Sequence, residues 1–134
     1  MKIIAAVIGS GIGIKHVEAI KDYRNSTIKY ICEKNIKKHD YLRKKFPKVS
    51  IIKNDEIIFK DKSINLVSIA SYDNYHFKQI MKGIKSKKNL IVEKPMCLEY
   101  SELKKIEKMM KKNKDLYICS NLVLRVNSLF EKLK

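Results

Sequence analysis

The chain has 134 residues, 45% hydrophobic and 33% charged, with a formal net charge of +16. That length supports one domain with its own core, because chains of this size bury about two-thirds of the surface they expose when unfolded, and no apolar run approaches the ~20 residues of a membrane span. The charge would attract any polyanion, yet only three of the 30 basic residues are arginines (Arg24, Arg43, Arg125) and the lysines lie along every amphipathic stretch, which predicts a solvated surface rather than specific nucleic-acid binding.

Short β-branched runs alternate with longer amphipathic ones, the pattern of βαβ units around a parallel sheet. Ile3 to Ile8 is the first predicted strand. The N-terminus is basic then apolar, but it runs into a glycine turn without a cleavage site, so it reads as a strand and not a signal peptide. A helix from about Ile14 to Asp22 follows, then a strand from Thr27 to Cys32. Asn35 is placed to cap a helix running to about Lys45, with Ile36, Tyr41, Leu42 and Phe46 on its inner side, closed by Pro47. Val49 to Ile52 is the third strand and Asp55 to Phe59 one short helical turn.

Ile64 to Ala70 reads as a central strand, nearly continuous in apolar residues as where both sheet faces are covered. A helix spans roughly Tyr75 to Ser86, with Asp73 or Asn74 as its cap. Asn89 to Val92 is the fifth strand, Ser101 to Lys112 a helix carrying Leu103, Ile106, Met109 and Met110 at helical spacing, and Leu116 to Ser120 the sixth strand. The whole is an α/β, Rossmann-type doubly wound parallel sheet of about six strands in the order 3-2-1-4-5-6. Cys32, Cys97 and Cys119 are widely spaced, without a C-x-x-C pair or a Cys/His cluster; reduced thiols, no metal site and a cytoplasmic location are expected.

Of four glycines in the chain, three (Gly9, Gly11 and Gly13) follow the first strand directly. There the run Gly9-Ser10-Gly11-Ile12-Gly13 lets backbone N–H groups approach a pyrophosphate, aided by the partial positive charge of the helix N-terminus. It departs from G-x-G-x-x-G, with Ile14 in the sixth place and a glycine one residue early. Glu33 lies 20 residues after Gly13, at the end of the second strand, where a carboxylate can accept from an adenosine ribose. This favours NAD; Lys34 beside it could accompany a 2′-phosphate, which leaves NADP open.

Two further segments carry a family pattern: Asn65-Leu66-Val67-Ser68-Ile69-Ala70-Ser71 followed by His76, and Asn89-Leu90-Ile91-Val92-Glu93-Lys94-Pro95. With the glycine turn and Glu33 they resemble the glucose-fructose oxidoreductase/inositol dehydrogenase/rhizopine-catabolism (Gfo/Idh/MocA) oxidoreductases, which have a strand ending in an A-T-P-like turn, a histidine soon after, and a Glu-Lys-Pro after the next strand. Ser71 and Tyr72 replace the threonine and proline, while Glu93-Lys94-Pro95 matches unchanged. His16 falls close to a histidine of the family, and the run from Asn121 to Phe130 resembles the segment leading into its second domain, with Ser128 in the place of a proline.

The resemblance implies hydride transfer between a nicotinamide and a carbon of a sugar, inositol or related polyol. It puts Lys94 near the nicotinamide ribose and the substrate hydroxyl, as the catalytic residue, with Glu93 positioning it. Gly9, Ser10, Gly11, Ile12, Gly13, Glu33, Ser71, His76, Glu93 and Lys94 form the expected cofactor set; His76 reads equally as a helix N-terminal histidine bonded to the preceding turn. Residues 1–121 are the expected dinucleotide-binding domain, and 122–134 the start of a truncated substrate domain, the second domain being essentially absent. Such a chain is expected to be inactive alone; the alternative is a non-catalytic NAD(H)-binding module. Val126, Leu129, Phe130 and Leu133, apolar at helical spacing, lead to the expectation of either self-association as a homo-oligomer or a disordered tail.

Overall fold

A computed structural model of the chain describes residues 2–122. The expectations for residues 123–134, including the apolar series from Val126 to Leu133 and the start of a second domain, lie outside the described residues. Six parallel strands form one sheet in the order β3-β2-β1-β4-β5-β6. They are β1 (Ile3–Ile8), β2 (Ser26–Cys32), β3 (Ser50–Ile52), β4 (Leu66–Ile69), β5 (Asn89–Glu93) and β6 (Ile118–Asn121). Helices α1 (Gly13–Asp22), α2 (His39–Lys45), α3 (Glu56–Lys60), α4 (Asp73–Lys85) and α5 (Tyr100–Lys111) connect them. None of the described helices is long and apolar enough to cross a membrane.

Alternation along β1 sorts the core into two layers. Ala5 and Val7 pack with Val17, Ile28, Ile31, Leu42 and Phe46; Ala6 and Ile8 pack on the opposite face with Val67, Ile69, Ile80, Ile84, Leu90 and Val92. The parity of β2 looks wrong, since Ile28 and Ile31 are three apart yet share a layer. A register shift resolves it: Ala5 pairs with Ile28 but Ala6 with Tyr30, so Lys29 is an extra residue that flips the faces after it.

Three local expectations are corrected. The segment after Asn35 opens as a 3-10 turn over Ile36–Lys38, with the Asn35 side chain accepting from the Lys37 N–H at 3.1 Å, and α2 begins only at His39. The helical phase therefore starts later than expected: His39, Leu42 and Phe46 turn inward, while Ile36 and Tyr41 are exposed. At α4 the N-cap is Tyr72, and Asp73 is already helical, its carboxylate accepting from the Asn74 N–H at 2.8 Å. Helix α5 starts one residue early because Glu99 and Glu102 form a reciprocal capping box.

Candidate dinucleotide site

The order of the strands reverses between β1 and β4, and there the loops at their carboxyl ends diverge to opposite faces and leave a crevice. A cavity of about 380 Å³ occupies it, within the range of small-molecule sites. Its lining brings together Gly9, Ser10, Gly11, Ile12, Glu33 and Ser71 from the expected set, and adds Lys34, Asn35, Lys38, Tyr75 and Gln79.

Each glycine of the turn has a different task. Gly9 has φ +93, and a Cβ there would lie against the Ala70 carbonyl group and 2.8 Å from the Ser71 nitrogen; only glycine fits this crossing of the β1 and β4 turns. At Gly13 a Cβ would come within 3.0 Å of Val7 and 3.2 Å of Ala70, so this residue lets α1 press onto the sheet and does not line the cavity. A Cβ at Gly11 meets nothing within 4 Å. Among the described residues no protein acceptor meets the N–H groups of Gly11, Ile12 or Gly13, and α1 has neither a side-chain cap nor an acidic residue in its first turn. Three unspent donors at a helix N-terminus suit an anion.

Glu33 faces this turn from the end of β2. One carboxylate oxygen accepts from the Ser10 N–H at 3.2 Å and from the Ser10 hydroxyl, the other from the Asn35 N–H at 2.8 Å, and Lys38 lies 4.0 Å away. Burial pushes the carboxyl pKa up, but the hydrogen bonds from Ser10 and Asn35 outweigh it and hold the group below its ordinary value. Three of roughly four acceptor positions are used, which leaves one for a ribose hydroxyl. The neighbouring Cys32 thiol is pushed up to about 12 by burial and stays protonated.

His76, expected as a cofactor contact, lies outside the lining. It is 1% exposed, with Nδ1 2.7 Å from the Pro95 carbonyl and Nε2 2.9 Å from the Ser71 carbonyl. It ties the turn after β4 to the turn after β5. Glu93 and Lys94 also lie outside the cavity, one strand further along at the end of β5. Lys94 is exposed. The Glu93 carboxylate is buried: one oxygen accepts from Asn121 Nδ2 at 2.6 Å and is 2.8 Å from His16 Nε2, and the other faces the Lys94 N–H at 3.3 Å. His16 Nδ1 is in turn 2.6 Å from the hydroxyl of Ser68, which is fully buried.

This four-residue network from α1, β4, β5 and β6 fixes the backbone from which Lys94 projects. Sequence reasoning placed Glu93 beside Lys94 but did not join it to His16, Ser68 and Asn121; a serine inside an apolar strand was the one available signal. Burial raises the Glu93 pKa, and the Asn121 and His16 hydrogen bonds more than reverse that, so the net shift is downward. A depressed folded value stabilises the fold above the ordinary carboxyl pKa, and the contribution is lost as pH falls through the folded value. Glu93→Gln is thus expected to lower the urea midpoint at pH 7, with the gap to wild type narrowing by pH 3. A gap independent of pH would show that the charge is not what holds the network. No group of three or more possible metal ligands occurs among the described residues.

A parallel sheet with a donor-lined glycine turn and an acidic residue closing β2 defines a dinucleotide-binding domain. Residues 3–120 match the family model described as the oxidoreductase family, NAD-binding Rossmann fold, and the chain belongs to that family, Gfo/Idh/MocA. Among solved structures it resembles scyllo-inositol dehydrogenase from Lactobacillus casei with bound NAD(H) and scyllo-inositol (TM-score 0.89, 16% identity, covering 99% of this chain and 40% of that one). Myo-inositol 2-dehydrogenase from Lactobacillus plantarum gives the same four values. GenD2 from gentamicin A biosynthesis, in complex with NAD, has a TM-score of 0.80 at 16% identity, over 89% of this chain and 34% of that one. The chain thus spans 34–40% of the length of these structures. No curated protein matches it.

Proposed function

We propose that the chain holds NAD(H) across the β1/β4 crevice as the cofactor-binding part of an oxidoreductase acting on the CH–OH group of a sugar, inositol or related polyol. The observation that carries it is the convergence on one cavity of two free N–H donors (Gly11, Ile12) and the ionised Glu33, with the free Gly13 N–H next to them at the start of α1. In this reading the donors face the pyrophosphate, Glu33 accepts from the adenosine ribose, and Ser71 borders the nicotinamide half. Lys94 stands near the nicotinamide ribose and the substrate hydroxyl. There an ammonium stabilises a developing alkoxide, while Glu93 acts on Lys94 through the backbone and is not itself in contact with cofactor. The polyol assignment follows from what the inositol dehydrogenase structures are named for, together with the Glu93-Lys94-Pro95 match.

Glu33→Ala is the test of the ribose contact. Losing a hydrogen bond to a charged acceptor costs about 1.5–3 kcal/mol, which is roughly a 10- to 100-fold rise in the NADH dissociation constant. NADPH serves as the comparison ligand, because Lys34 and Lys38 border the same ribose position; its affinity should fall less, or rise, when the carboxylate is removed. Equal NADH affinity of the two proteins by calorimetry would remove Glu33 from the site.

A further inference from the structure

Lys34 follows β2 on one wall of the crevice, and Tyr75 stands in the first turn of α4 on the other. The Lys34 ammonium lies 3.5 Å from the centroid of the Tyr75 ring, so the two residues touch across the opening. Both line the 380 Å³ cavity and also a second one of about 530 Å³, bordered by Lys53, Lys78 and Lys82. Their contact lies, with Asp55 and Gln79, on the boundary between the two. From the glycine turn outward, the wall offers free N–H donors, then the Glu33 carboxylate, then a flat aromatic face beside Lys34. That is the order of phosphate, ribose and base in an adenosine nucleotide.

We propose that the Tyr75 ring is the face on which the adenine of the dinucleotide stacks, and that Lys34 covers this face until the base displaces it. The assignment rests on the NAD reading above and deepens it. With the ammonium 3.5 Å from the ring centre no base fits between the two, because a stacked ring needs that same space. Lys34 must leave, and nothing else holds it: it is exposed and has no salt-bridge partner among the described residues. An exposed cation–π contact is worth less than a stacked base, so the exchange favours the nucleotide. Tyr75 is 36% exposed, so its removal leaves the core intact.

The test compares wild type, Tyr75→Ala and Tyr75→Phe in titrations with NADH, ADP-ribose and reduced nicotinamide mononucleotide. Tyr75→Ala is expected to weaken NADH and ADP-ribose about tenfold or more and to leave the mononucleotide unchanged. Tyr75→Phe, which keeps the ring, should stay close to wild type. In proton spectra the adenine H2 and H8 signals should move upfield on binding to wild type and Tyr75→Phe but not Tyr75→Ala. The Lys34 ε-methylene signal, shifted upfield by the Tyr75 ring in the free protein, should return toward its ordinary position at saturation. Wild-type NADH affinity in Tyr75→Ala, or a Lys34 signal that stays upfield in the saturated complex, would overturn the proposal. Wild type that binds ADP-ribose nowhere in this crevice would instead overturn the NAD reading, and this inference with it.

Discussion

Valine at position 11 is expected to abolish NADH binding, by at least two orders of magnitude, while the domain stays folded. A Cβ on Gly11 meets no atom within 4 Å, and the residue does not need a left-handed backbone, so the folded state has room for the side chain. Gly11 lines the cavity, so a side chain added there takes space from a phosphate held at the Gly11, Ile12 and Gly13 N–H groups. A branched side chain there holds a phosphate too far from all three for hydrogen bonds. A surface substitution of this kind costs about 0.5 kcal/mol or less, so the melting midpoint should move by roughly 2 °C or less. Gly9→Val is the contrasting control: a φ of +93 and an Ala70 carbonyl carbon 2.6 Å from the Cβ position predict a loss of fold rather than a selective loss of ligand. Calorimetric NADH binding that survives Gly11→Val would move the phosphate site away from this turn.

The contrast between these glycines shows where sequence reasoning stops. Three glycines after a strand announce a phosphate turn because the spacing is a property of the backbone. Which of them faces the ligand depends on how closely β4 approaches, and that is set by Ala70, about sixty residues away. The strand order was legible for the same reason as the turn: apolar period and element alternation are local, and the handedness of parallel crossovers leaves few arrangements. Ile36 and Tyr41 were misplaced because a short 3-10 turn, stabilised by one Asn35 side-chain bond, rotates everything after it. His76 had two readings in sequence. In the structure it is buried, and both ring nitrogens face carbonyl oxygens, the arrangement of the second reading. The His16, Ser68, Glu93 and Asn121 network was beyond reach, because its members come from four elements and meet only when β5 and β6 are both paired.

The purified chain is expected to bind NADH yet to show no measurable dehydrogenase turnover with sugars or inositols. Hydride transfer needs the substrate carbon held against the nicotinamide and its hydroxyl proton passed to a positioned base, and such positioning can supply about 7–11 kcal/mol of barrier reduction. Among the described residues Lys94 is the candidate at that end of the crevice, and it is exposed on a turn. The other groups able to take a proton are engaged. His16 is held between Ser68 and Glu93, His76 between two carbonyls, and Glu33 accepts from Ser10 and Asn35 at the end of β2. An exposed ammonium also does little for an alkoxide, because water screens it. Supplying a substrate domain from an inositol dehydrogenase, fused or in trans, should exclude that water and produce turnover. Lys94→Ala in the assembled protein should then lower kcat about 10²- to 10³-fold with NADH affinity little changed. The decisive assay follows NADH formation over a panel of sugars and polyols with the chain alone. Turnover that survives repurification would mean that the proton acceptor lies within these 134 residues, and His16, the histidine nearest the Lys94 turn through Glu93, would be the first residue to replace.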